Sequence, residues 1–121
     1  MIMPNLLILY VASPPASSAF YETLFEKAPD IVLPSWAAFS FANGVNLGLW
    51  STQANDFVSQ GNGNRTELSF LVKDRQTVEA TYARWVKLGI NIEEAPKDAV
   101  FGRTFVALDP DGHRLRVCIP D

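Results

Sequence analysis

The sequence predicts an α+β fold of two tandem βαβββ modules with mixed sheets. Three observations predict it. Strand-like and helix-like hydrophobic periods follow one another in the same order twice along the 121 residues, and turn residues punctuate both runs. Between the two runs lies a polar stretch containing Gly61-Asn62-Gly63-Asn64, the composition of a linker or exposed loop. The expected division is a first module over 1–52, a linker over 53–64 and a second module over 65–121, all within one domain.

In the first half, Leu6 to Ala12 is a continuous apolar run that reads as a buried strand. Ser13 is a candidate N-cap with Pro14 at the first helical position, where a missing N–H costs nothing. Phe20 and Leu24, with Tyr21 and Phe25 beside them, give the helix an apolar face, and it should end near Lys27-Ala28, before Pro29. Three strands follow over Ile31–Leu33, Trp36–Phe41 and Val45–Trp50. Asn43-Gly44 between the last two is a hairpin signal.

The second half repeats the order. Glu67–Val72 is a strand, and Asp74 can cap a helix that runs to Leu88 and stops at Gly89. Val78, Tyr82, Trp85 and Val86 form its core-facing stripe. Ile90–Glu94, Arg103–Leu108 and His113–Ile119 are strands, the last two joined by Asp109-Pro110-Asp111-Gly112 in turn positions. In each half the helix covers one sheet face, and the other face must find a partner or a ligand.

Composition narrows the function classes. Hydrophobic residues at 48% and charged residues at 19% are ordinary for a soluble globular protein. The net charge of −3 offers no basic footprint for nucleic acid. Cys118, the single cysteine, rules out an internal disulfide and fits a reducing compartment. Leu6 to Val11 is too short to span a bilayer, and the N-terminus has no basic region of a secretory leader. The expectation is a cytoplasmic protein with no membrane partner.

The element order, with Phe20-Tyr21-Glu22-Thr23-Leu24-Phe25 in the first helix and Asp109-Pro110-Asp111-Gly112-His113 before the last strand, resembles the glyoxalase/bleomycin-resistance/dioxygenase (vicinal oxygen chelate) superfamily over essentially the whole chain. Pro4-Asn5-Leu6, Val100-Phe101-Gly102-Arg103-Thr104-Phe105 and Asp109 to Cys118 are similar to phenazine antibiotic resistance proteins within it. The resemblance implies sheets forming a cup with the helices outside, and a homodimer. For the resistance proteins it implies a metal-free site for a planar tricyclic antibiotic.

Metal-dependent members carry a His, Glu or Gln at one position in each of four strands. By the resemblance these positions fall on Leu6, Gly48 (Ser51 if the register slips), Glu67 and Arg116. A divalent ion needs several O or N donors, and this set supplies one carboxylate and one cation. The expectation is therefore no metal and no cofactor, and no catalytic residue of the metal-dependent kind.

Strand alternation sorts the remaining candidates. If Gly48 faces the cup, so does Trp50. If Glu67 does, so does Ser69, and Arg114, Arg116 and Cys118 share one face. Trp50, Glu67, Arg116, Arg103, Phe101, Trp36, Tyr10 and Ser69 are the candidate ligand-binding residues. An indole with opposite charges on an apolar floor suits a planar aromatic small molecule.

Duller readings stand beside these. Trp50 could be core, Trp36 could line a dimer seam, and Glu67 with Arg116 could be a structural ion pair. Arg103 could be a solvated edge residue and Gly102 a bulge. Trp85 reads as core, His113 as a surface turn residue and Cys118 as a small filler. The alternative function, implied by the same resemblance, is a lyase or dioxygenase-type enzyme acting on a small molecule, with Glu67 as acid or base or with an unrecognised metal site.

Overall fold

The computed structural model describes residues 2–55 and 66–120. The chain divides into two compact units, Met1–Gly61 and Asn62–Asp121, and the linker read at 53–64 lies largely outside the described residues.

The first unit runs β1 (Leu6–Val11), α1 (Pro14–Phe25), β2 (Ile31–Val32), β3 (Trp36–Ser40) and β4 (Asn46–Ser51). The second runs β5 (Glu67–Leu71), α2 (Arg75–Lys87), β6 (Asn91–Ala99), β7 (Gly102–Leu108) and β8 (Arg114–Cys118). Each unit builds one four-stranded mixed sheet, with orders β1-β4-β3-β2 and β5-β8-β7-β6. In both, the first strand pairs in parallel with the last, and the other pairings are antiparallel. The twofold βαβββ pattern is thus present in full.

Local chemistry sets the element ends. The Ser13 side chain accepts from the Ala16 N–H at 3.2 Å, and Pro14 opens α1 as expected. Asp74 accepts from the Thr77 N–H at 2.8 Å and from its hydroxyl at 2.6 Å, capping α2. At the β3–β4 hairpin the Val45 N–H donates to Asn43 Oδ1 at 3.1 Å. Helix α1 stops two residues earlier than the Lys27 expectation, because Glu26 turns left-handed with φ 55°.

The cores are aromatic. In the first unit Phe25 meets Phe39 and Phe41 edge-on and stacks on Tyr21. In the second, Trp85 meets Phe70 and Phe105 edge-on, and Tyr82 also meets Phe105. Full burial of a side chain such as Phe39 or Phe105 contributes about 1.5–3 kcal/mol. These contacts fix which sheet face each helix covers: Phe39 faces α1, and Phe70 and Phe105 face α2.

Two expectations need correction. The strand at Leu6 is buried only toward its end: Leu6, Leu7, Ile8 and Tyr10 are exposed, whereas Val11 is fully buried. Among the described residues it forms the edge of its sheet with β4 as its one strand neighbour, and α1 packs chiefly on β3 and β4. Val86 is not part of the α2 stripe; it is 48% exposed while Val78 and Trp85 are buried. Eight helical steps carry it about 80° round from Val78, beyond the face that meets the sheet.

Strand β6 is longer than expected, reaching Ala99, with register shifts around Glu94–Lys97. Pro96 lies in that irregular stretch on the sheet edge, where a missing N–H is tolerated.

Candidate ligand site

The open face of the first sheet is built by alternation from β4. Leu47, Leu49 and Ser51 are buried on the α1 side, so Asn46, Gly48 and Trp50 point the other way. Trp50 stands in register with Tyr10 on β1 and with Trp36 on β3. Three aromatic side chains therefore form one row across three adjacent strands, about 10 Å from outer strand to outer strand. Tyr10 meets Trp50 edge-to-face with centroids 6.2 Å apart. Tyr10 is 46% exposed and both indoles are half-buried.

The next row, Ile8, Gly48 and Ala38, is small at its centre and on the β3 side. The Trp36 indole reaches diagonally over it. A Cβ on Gly48 would lie 2.9 Å from Trp36 Cζ3 and 3.0 Å from Cζ2, and closer still to Cη2. Any side chain at 48 would occupy the space that the Trp36 benzo ring holds.

The open face of the second sheet carries charge. Glu67 stands in register with Arg114, and Ser69 with Arg116. Arg116 donates from Nε to Glu67 Oε1 at 2.5 Å, from Nη2 to Oε2 at 3.4 Å and from Nη1 to Thr104 Oγ1 at 3.0 Å. Arg114 donates from Nε to the same Oε2 at 3.3 Å, and it also binds Glu93 and Glu94. Thr104 is held by donating its hydroxyl proton to the Val117 carbonyl at 2.9 Å. The Phe101 ring lies against the Arg116 guanidinium, 5.6 Å from Cζ to centroid.

Two consequences follow. The hydrogen bond from Arg116, helped by Arg114, holds the Glu67 carboxyl below its ordinary range against the opposing effect of burial. A carboxylate so held is ionised at neutral pH and poorly suited to donate a proton. Arg116 uses three of its five N–H groups on protein partners, which leaves two for other acceptors.

Arg103 points elsewhere. It lies on the α2 side, donating to Glu79 Oε1 at 2.6 Å, with Asp98 at 3.5 Å. Arg75 joins the same group through Asp98 at 2.7 Å, so the network ties the β6–β7 hairpin to the helix. Gly102 carries φ +118°, and a Cβ there would meet the Ile119 side chain at 2.7 Å. His113 sits in its turn with Nδ1 2.8 Å from the buried Asp109 carboxylate, and Cys118 is buried.

Arg114 and Thr104 join this group only through the fold. Arg114 was recognised as sharing a face with Arg116, but its place opposite Glu67 depends on a parallel pairing between segments 47 residues apart. Thr104 looks in sequence like any strand threonine.

The four family metal positions do not fit a divalent ion. Leu6 offers no donor, Gly48 lies under Trp36, Arg116 is a cation, and Glu67 is engaged by two guanidinium groups. Among the described residues no three His, Cys, Asp or Glu side chains gather as a metal-binding group. Among the same residues no helix is long and apolar enough to cross a membrane.

Two mixed sheets of repeated βαβββ order, each with one helix-free face, define a class, and comparison with known families gives the same result. The family model for the Glyoxalase/Bleomycin resistance protein/Dioxygenase superfamily matches residues 4–117, and the chain belongs to that superfamily. Among individual proteins, it is 32% identical over 120 residues to the phenazine antibiotic resistance protein EhpR of Enterobacter agglomerans, covering 97% of this chain and 92% of the relative. Its fold also matches the solution structure of protein ATC0852 from Agrobacterium tumefaciens, with a TM-score of 0.87 and 40% identity over 100% of this chain and 99% of that one. A lactoylglutathione lyase from the same organism matches with a TM-score of 0.74 at 23% identity, covering 97% of this chain and 91% of that one; this is a likeness of fold alone.

Proposed function

We propose that this protein binds and sequesters a planar aromatic small molecule of the phenazine kind, without a metal, and acts in drug resistance by binding. The observation that carries the reading is the row Tyr10–Trp50–Trp36 on the open face of the first sheet. Aromatic side chains in one row offer stacking area to a flat ring system at low conformational cost. The relationship to a phenazine antibiotic resistance protein supports the same choice over lyase or dioxygenase chemistry. So does Glu67, which is held ionised rather than poised near neutrality.

The functional unit in this reading is a homodimer in the cytoplasm. The exposed apolar edge strand β1 supports assembly, because such an edge is usually paired or covered.

The test is a phenazine titration followed by tryptophan fluorescence, with sedimentation run in parallel. Saturable quenching, unchanged after EDTA treatment and weakened in Trp50→Ala, is expected, together with a dimer mass. Absence of quenching in the wild type, or equal quenching in Trp50→Ala, overturns the binding reading. A monomer mass overturns the assembly.

A further inference from the structure

From the contact between Trp36 and Gly48 we infer that this pair sets the shape specificity of the site. The inference rests on the binding reading and adds the geometry of what is bound. Gly48 is the smallest point of the open face, flanked in register by Ile8 on β1 and Ala38 on β3. A glycine beside an alanine under an aromatic row would ordinarily leave a hollow able to take a ligand substituent. Here the Trp36 benzo ring already lies in it, within 3.0 Å of where a Cβ on residue 48 would stand. The protein has filled its own depression, so the face has no socket beneath the row.

The ligand class follows from that shape. A flat fused-ring aromatic can stack beside the Trp36 wall on Trp50, against which Tyr10 stands edge-to-face, with nothing projecting toward the sheet. A ring bearing a bulky out-of-plane group on its inner face meets the indole of Trp36. Gly48 acts as a positioning residue, since any side chain there lifts the indole into the space the ring system uses. Trp36 is the specificity-determining wall. Trp50 then supplies stacking area without setting which shapes are admitted.

The experiment compares phenazine with a phenazine carrying one tert-butyl group, on wild type, Trp36→Ala and Gly48→Ala. Wild type should prefer the flat compound by about tenfold or more, the scale on which a pocket discriminates a small apolar group. Trp36→Ala empties the depression, so the preference should collapse or reverse. Gly48→Ala should lose affinity for the flat compound by about tenfold while keeping the wild-type circular dichroism. In wild type the Gly48 α-proton resonances should carry a ring-current shift that Trp36→Ala abolishes. This reports the contact without any ligand.

Wild-type binding with an unchanged preference in Trp36→Ala overturns the inference and leaves the binding function standing. Absence of the ring-current shift overturns it too, whatever the titrations give. If wild type binds neither compound, the proposed function itself fails and this inference falls with it. Should Gly48→Ala not fold, Trp36→Ala and the proton shift still decide.

Discussion

Glu67 and Arg116 are diagonal neighbours on paired parallel strands, and their side chains meet side-on. Nε and Nη2 of the guanidinium reach the two carboxylate oxygens at 2.5 and 3.4 Å. The side chains retain 29% and 17% of their exposure, so the pair is neither a free surface bridge nor a sealed core pair. Arg114 also reaches this carboxylate, its Nε donating to Oε2 at 3.3 Å, so Glu67 is shared between two guanidinium groups.

The first prediction concerns that coupling. A double-mutant cycle between Glu67→Gln and Arg116→Gln, read by urea unfolding, should give a coupling of about 0.5–1 kcal/mol. Arg103→Gln should leave phenazine binding near wild type because Arg103 serves the α2 side. A binding loss from Arg103→Gln would contradict the placement described above.

The second concerns the α2 face. Phe105→Ala should destabilise by about 3–5 kcal/mol, since Phe105 is fully buried between Tyr82 and Trp85. Val86→Ala should stay within about 0.5 kcal/mol, because half of that side chain is already in water. Denaturant midpoints of the two variants make the comparison directly.

The third concerns the start of α1. Ser13→Ala removes the side-chain acceptor for the Ala16 N–H and should cost about 1 kcal/mol. Ser13→Asp should recover most of it, which thermal melts of the three proteins will show.

The fourth is a pH dependence. The hydrogen bond that His113 Nδ1–H donates to the buried Asp109 carboxylate, with help from the charges of Asp109 and Asp111, raises the His113 pKa above its ordinary value despite burial. The folded state therefore holds this proton more tightly than the unfolded chain. The resulting stability is fully present below the ordinary histidine range and is lost as pH rises through the raised value. Melting temperatures measured from pH 5 to 9 should fall across that window in wild type and be flatter in His113→Asn.

Much of this was readable from residues close together in sequence. The caps at Ser13 and Asp74, the Asn43-Gly44 hairpin and the Trp85 stripe are local signals, and the structure has each of them. What escaped depends on pairings between distant segments. A continuous apolar run such as Leu6–Val11 says that a strand forms, but not whether neighbours flank it on both sides; here β4 pairs with one side only. Arg114 and Thr104 gain their roles only once β8 is set beside both β5 and β7. Arg103 looked like a rim residue because it follows Phe101-Gly102, yet alternation along β7 sends it to the helix side. Trp36 and Gly48 are twelve positions apart, and the β3–β4 register alone brings the indole over the glycine.

That last contact also bears on how the protein can change over generations. In a lineage descended from this chain, a histidine or glutamate arriving at position 48 finds the Trp36 ring in its way. The reverse order of mutation, loss of the indole first, opens a hollow in the sheet face before any donor can fill it. Each single step is penalised, and the benefit comes only with the pair. The tryptophan on its glycine therefore makes the acquisition of a metal ligand at this strand a matter of two coordinated substitutions.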